Sequence, residues 1–133
     1  MTSSVISTGH GTGLQLVAVF NTILGYKKAK GRTYGAGRFY KEGVFRGKRA
    51  MLSLTTGGPS EVYEKGGWNG DIEAILRPIQ RGILEFVGFS ILAPHIIYGP
   101  ARKSDDERSR ILDGYSARLR KIEVESPCDV GSY

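Results

Sequence analysis

The chain has 133 residues, 40% hydrophobic and 24% charged, with 19 Lys/Arg against 13 Asp/Glu. These proportions fit one globular domain with a modest core and exclude a fibrous or wholly disordered chain. A lone cysteine, Cys128, excludes an intrachain disulfide framework or a cysteine zinc cluster, and no apolar run is long enough to span a membrane.

The net charge of +6 is unevenly placed: Lys27 to Arg49 holds nine basic residues and one Glu, and the remainder is slightly acidic. Such a block suits nucleic acid, a phosphorylated cofactor or a solvated face. No helix-turn-helix, zinc or aromatic RNA-binding motif accompanies it, so a nucleic-acid partner is not expected. No Lys or Arg precedes Lys27 and the apolar piece LQLVAVF is short, so neither a secretory signal nor a transit peptide is expected. A reducing, cytoplasmic setting follows as the expectation.

Residues 1–12 are small and polar and read as a disordered tail. The piece GHGTG there lacks the glycine spacing and preceding strand of a phosphate loop. Residues 13–26 are apolar and fit a helix or a strand. Residues 31–47 form a glycine-rich loop with inward-facing rings, in which Phe39 and Tyr40 pack. KRAMLSLTT (48–56) reads as a strand, nearly continuous in apolar residues and hence buried on both faces.

A loop from Gly57 to Gly70 leads to a helix at Asp71, with Asn69 or Asp71 as its cap. Ile72, Ile75, Leu76, Ile79, Ile83, Phe86 and Val87 fall on one helical face, Pro78 should kink or break it, and Gly88 ends it. SILAPHIIY (90–98) is a second strand whose Pro94 signals an edge or a bulge. Ser104 to Glu107 is a capping box that opens a second helix with the stripe Ile111, Leu112, Tyr115, Leu119 and Ile122. The tail ESPCDVGSY reads as loose.

Strand, helix, strand, helix is a βαβα unit with parallel strands. Ligands of such sheets sit beyond the carboxyl ends of the strands, here at Thr55–Gly58 and Gly99–Pro100. Two hydroxyls and successive backbone N–H groups at a strand end can hold ligand oxygens and ring nitrogens, and glycines let a flat ring approach. Tyr63 adds a phenol that can donate to developing charge. Thr-Gly-Gly-Pro is also a good turn in its own right, and both readings stand at this point.

Three segments carry a resemblance: YGAGRFYKEGVFRGKRAMLSLTTGGP, GWNGDIEAILRPIQRGILEFVGF and YGPARKSDDER. Residues 31–122 resemble the NAD(P)H:quinone oxidoreductases, flavodoxin-like flavoproteins, over about the C-terminal half of a usual member. The resemblance implies an α/β fold: a truncated flavodoxin-like parallel sheet with helices on both faces. Residues 1–30 would then be an unmatched segment, 31–123 the flavodoxin-like part, and 124–133 a tail. It implies FAD, with FMN as the other flavin, NAD(P)H as hydride donor, a quinone acceptor, no metal, and a homodimer or a heterodimer with a full-length homologue. By resemblance Thr55, Thr56, Gly57 and Gly58 bind the flavin, Tyr63 stabilises charge at its edge, Arg108 contacts the dinucleotide part of FAD, and Tyr34 lines the substrate pocket.

The chain also departs from the family. Where vertebrate members place a histidine that relays a proton with the tyrosine, this chain has Asn69, which donates a hydrogen bond but does not titrate. A second pocket tyrosine is Ala36. His95, in an apolar strand, reads as structural, and His10 lies in the tail. The family's flavin-phosphate loop and its Pro-Leu-x-Trp-Phe-Gly-like wall have no counterpart, and Trp68 lies elsewhere. The sheet is thus expected to lack strands, leaving the Ala50–Thr56 edge bare unless Leu14–Phe20 or another chain covers it. Two functions follow: a flavin-dependent two-electron quinone reductase, or a non-catalytic truncated paralogue that acts by pairing with a full-length homologue.

Overall fold

Apolar and β-branched residues extend where both faces of the backbone can be buried. In the computed structural model, which describes residues 6–8 and 36–131, the 48–56 run forms β2 (Arg49–Ala50) and β3 (Leu52–Thr56). The second run forms β4 (Ser90–Ile91) and β5 (His95–Tyr98). β2 pairs in parallel with β4, and β3 with β5. Three residues separate Ile91 from His95, against two between Ala50 and Ser53. The extra residue is taken up as a bulge around Pro94, and β5 is also an edge strand of the described sheet, ordered β1-β3-β5, so both signals that Pro94 carried are present.

The outer side of β3 pairs with β1 (Ile6–Thr8), in register Ile6 to Leu52 and Thr8 to Leu54. A strand therefore lies within the stretch expected to be a tail, and it covers this part of the β3 edge. Leu14–Phe20, the expected cover, lies outside the described residues.

Alternation along the strands puts Leu52, Leu54 and Thr56 on one face with their partners Ile96 and Tyr98, and His95 on the other. Helix α1 (Ile72–Ile79) covers the first face. Leu52, Leu76, Leu84 and Ile91 form the core there, with Ile72 and Ile79 against them. Of the two candidate caps it is Asp71 that acts, its carboxylate accepting from the Glu73 N–H at 2.9 Å. Asp71→Ala is expected to cost about 1 kcal/mol, read from the urea midpoint.

Pro78 lacks the N–H that would continue the α ladder. The helix passes into π-helical backbone at Gln80–Glu85, where the Phe86 N–H reaches back to the Arg81 carbonyl at 3.2 Å. The wider turn rotates the following side chains. Gln80 and Leu84 turn inward, whereas Ile75, expected on the buried stripe, is 47% exposed.

Helix α2 (Asp105–Arg120) opens with the expected capping box: Glu107 N–H donates to Ser104 Oγ at 3.2 Å, and Ser104 N–H to Glu107 Oε2 at 2.8 Å. It meets the opposite face of the sheet, where the Tyr115 ring stacks on His95 at 4.3 Å. Its expected stripe is only half-buried, and Leu112 is 62% exposed. His95 lies at the start of β5, away from the strand's carboxyl end, as a packing residue would.

Two segments clasp the sheet from outside. In the glycine-rich loop the Tyr40 and Phe45 N–H groups donate to the Phe86 and Val87 carbonyls at 2.9 and 3.0 Å. Phe39 and Tyr40 pack on Phe86, as the loop's inward rings were expected to, and Phe45 stacks on Phe89. The C-terminal segment is not loose. The Cys128 N–H donates to the Ile91 carbonyl at 2.8 Å, and Cys128 and Val130 pack on the core. Apolar side chains too distant in sequence to show a pattern dock it there. Among the described residues no helix is long and apolar enough to cross a membrane, and no cluster of His, Cys, Asp or Glu suits a metal.

Candidate functional site

The carboxyl ends of β3 and β5 lie side by side, with Thr56 opposite Tyr98. The Gly99 N–H donates to the Thr56 carbonyl at 2.9 Å, locking the two ends together. Gly99 then turns the chain with φ of 54°, a conformation glycine adopts without Cβ strain. Strand alternation sends the Thr55 and Thr56 side chains to opposite faces, Thr55 exposed and Thr56 buried. The Thr56 hydroxyl donates to the Gly58 carbonyl at 2.9 Å and so closes the turn at the strand end.

The loop after the turn folds back over it. Ser60–Tyr63 makes one 3-10 turn. The Asn69 N–H donates to the Val62 carbonyl at 2.8 Å, and the Gly67 N–H to the Glu64 carbonyl at 2.7 Å. This fold brings Tyr63 and Asn69 onto Gly58. A Cβ on Gly58 would stand 2.8 Å from Val62 Cγ2, 3.3 Å from Tyr63 Cε2 and 3.6 Å from Asn69 Nδ2. Next to it, Gly57 faces open space. A bare backbone turn thus ends a parallel sheet, walled on one side by a phenol and an amide.

The structure brings Thr55, Thr56, Gly57, Gly58, Tyr63 and Asn69 to this one turn. Arg108 stands one loop away, at the start of α2. Its guanidinium donates to the Pro100 carbonyl at 3.2 Å and the Lys103 carbonyl at 2.7 Å, and pairs with Asp105. It holds together the loop that follows β5. Tyr34 lies outside the described residues. Trp68, next to Asn69, is 94% exposed.

Sequence reading missed Tyr98. Its ring centroid lies 6.0 Å from that of Tyr63, inclined at 45°. Burial, then the Glu64 carboxylate and Tyr63, push its phenol above the ordinary range. The signal was present: Tyr98 immediately precedes Gly99–Pro100, already marked as a strand end. Chemically the turn offers phenol and amide donors beside open backbone. The Asn69 amide donates a hydrogen bond and does not titrate near neutral pH.

Known proteins resemble the chain over these elements. A family described as having a flavodoxin-like fold matches residues 20–122, beginning ahead of residue 31, where the sequence resemblance starts. Human ribosyldihydronicotinamide dehydrogenase [quinone] is 46% identical over 89 residues, which are 67% of this chain and 38% of that protein. Rat NAD(P)H dehydrogenase [quinone] 1 is 40% identical over 97 residues, 73% of this chain and 35% of that one. Among solved structures, a Klebsiella pneumoniae protein described as a quinone reductase superposes with a TM-score of 0.65 at 37% identity, covering 71% of this chain and 37% of its own. The chain thus spans a little over a third of the length of these relatives. It belongs to the family with a flavodoxin-like fold, and over these residues it is similar to the quinone dehydrogenases named above.

Proposed function

We propose that this chain is a flavin-dependent oxidoreductase unit that carries hydride from NAD(P)H through flavin to a quinone. The observation that carries the reading is the Gly57–Gly58 turn, open at Gly57 and walled at Gly58 by Tyr63 and Asn69, at the carboxyl end of a parallel strand. A flat ring with polar edges fits it, since glycine lets the ring meet the backbone and the side chains offer donors at its rim. When bound, flavin accepts hydride from one substrate and delivers it to the next.

In this reading Gly57 and Gly58 present backbone N–H groups to the ring, and the Thr56 hydroxyl holds the turn that aims them. The Tyr63 phenol donates to negative charge as it develops, a role worth most in a site that excludes water. Asn69 orients by hydrogen bonding and leaves proton exchange to Tyr63 or solvent. By the family resemblance Arg108 would contact the dinucleotide part of FAD, which leans towards FAD over FMN. By the same resemblance Tyr34 would line the quinone pocket and a second subunit would complete the site, with the work done in the cytoplasm.

Trp68 is the single tryptophan, so a change in tryptophan emission, corrected for absorption by FAD, comes from this one position beside Asn69. Titrating the purified chain with FAD is expected to quench its emission. Steady-state NAD(P)H oxidation with a soluble quinone is expected to exceed the rate of free flavin. Unchanged emission together with no rate above free flavin would overturn the enzyme reading. The alternative is a paralogue that acts by pairing with a full-length homologue. The engagement of Arg108 with the chain's own carbonyls supports it.

A further inference from the structure

We infer that Tyr98 is a positioning residue of this site, bracing the Tyr63 ring against the bare backbone of Gly58. The inference deepens the flavin reading and rests on it. Tyr63 itself is poorly held by its own segment. It ends a single 3-10 turn that has no side-chain cap, in a loop otherwise tied by backbone hydrogen bonds. One side of its ring meets Gly58, where a Cβ would stand 3.3 Å from Cε2.

Tyr98 supplies the second support, and it comes from the rigid part of the fold. It is the last residue of β5, paired with Thr56, and the next N–H is bonded to the Thr56 carbonyl at 2.9 Å. Its position is therefore set by the same strand end that carries the turn. Its side chain leaves the sheet on the Thr56 face, and its ring lies 6.0 Å from that of Tyr63 at 45°. Tilted rings at this spacing attract beyond simple area burial. A donor that acts on developing charge needs such a fixed mount, since small misplacement weakens its bond in the transition state.

The partner's chemistry fits the task. Glu64 and Tyr63 are the charged and titratable neighbours that bear on the Tyr98 phenol, and with burial they keep it protonated. An uncharged phenol ring can lie against Tyr63 with no charge buried between them.

The test compares Tyr98→Phe and Tyr98→Leu with the parent chain, using FAD as the probe. Tyr98→Phe keeps the ring and is expected to retain FAD affinity and kcat within about twofold. Tyr98→Leu is expected to weaken FAD binding and lower kcat by about threefold to tenfold each, with KM for NAD(P)H unchanged. A double-mutant cycle with Tyr63→Leu on the urea stability of the ligand-free protein reads the ring contact without any flavin. The effects of the two leucine changes are expected to be non-additive.

Equal loss in Tyr98→Phe and Tyr98→Leu, no loss in Tyr98→Leu, or an additive cycle overturns the brace. A parent chain that binds no FAD overturns the flavin reading and, with it, the site role. The ligand-free cycle then still decides whether the ring contact exists.

Discussion

Gly43→Ala is expected to destabilise the protein by about 3 to 5 kcal/mol, since it removes several buried interactions at once. Backbone conformation is not the reason, because Gly43 has φ of −61°, open to any residue. Close approach is. A Cβ there would stand 2.4 Å from both the carbonyl carbon and oxygen of Val87, and 2.5 Å from Gly88 Cα. These are backbone atoms at the end of the π-helical turn, and they cannot swing aside. The loop must lift instead. It would loosen the Tyr40 to Phe86 and Phe45 to Val87 hydrogen bonds and pull Phe39 and Tyr40 off Phe86. Each lost backbone bond costs about 1 to 3 kcal/mol when its partner stays buried, and each ring pair about 0.5 to 1.5.

Gly47→Ala is the control. Gly47 has φ of 79° but nothing near its missing Cβ, so only the left-handed strain of about 1 to 2 kcal/mol applies. Urea midpoints at constant m-value give both numbers. Equal costs at the two positions would show that the loop does not dock on Val87 and Gly88 as described.

Arg118→Met is expected to cost about 2 to 3 kcal/mol. Ala93 and Pro94 lie between β4 and β5, outside the strand ladders, and Arg118 serves their carbonyls from α2. Nη2 donates to the Ala93 carbonyl at 2.6 Å and Nη1 to that of Pro94 at 3.5 Å. The same guanidinium forks onto Glu125 at 2.5 and 3.0 Å, which draws in the C-terminal segment. Both side chains are about a quarter exposed, 24% and 26%. Breaking a fully buried pair costs about 3 to 5 kcal/mol, so a lower figure applies here. Lysine cannot form the fork and should recover only part of the loss.

The pH dependence carries a sign that checks the assignment. The Arg118 hydrogen bond holds the Glu125 carboxyl below its ordinary 4.5. A carboxylate with a depressed folded pKa stabilises the fold above its unfolded value, and this is lost as pH falls through the folded one. Burial, then the Arg118 charge, likewise lowers His95 below its ordinary 6.5. Its contribution is complete above 6.5 and is lost as pH falls through the lowered value. The parent chain should thus lose stability in two stages on the acid side, beginning below 6.5 and again below 4.5. In Arg118→Met the Glu125 stage should vanish, and the His95 stage should shrink but persist through burial. Parallel stability–pH curves for parent and variant would contradict the clasp.

Much of this was legible in the chain itself. The two apolar runs, the Asp71 cap, the Ser104–Glu107 box and the irregularity at Pro94 involve residues a few positions apart, whose chemistry sets local backbone wherever they occur. The Thr-Thr-Gly-Gly turn and Tyr63 likewise declared a strand end with polar neighbours.

What the sequence determined by itself, then, was the order of elements, the parallel α/β architecture and the place of the candidate site. Only the tertiary structure decided the π-helical turn after Pro78 and the inward rotation of Gln80 and Leu84. It alone placed Ile6–Thr8 on the β3 edge, docked Cys128 on Ile91, and set Tyr98 beside Tyr63. The physical reason is range. Caps, breakers and periodicity act between near neighbours and leave a pattern in the chain. Register, docking and ring contacts join residues far apart in sequence, through burial and hydrogen bonds that exist only once the sheet has formed.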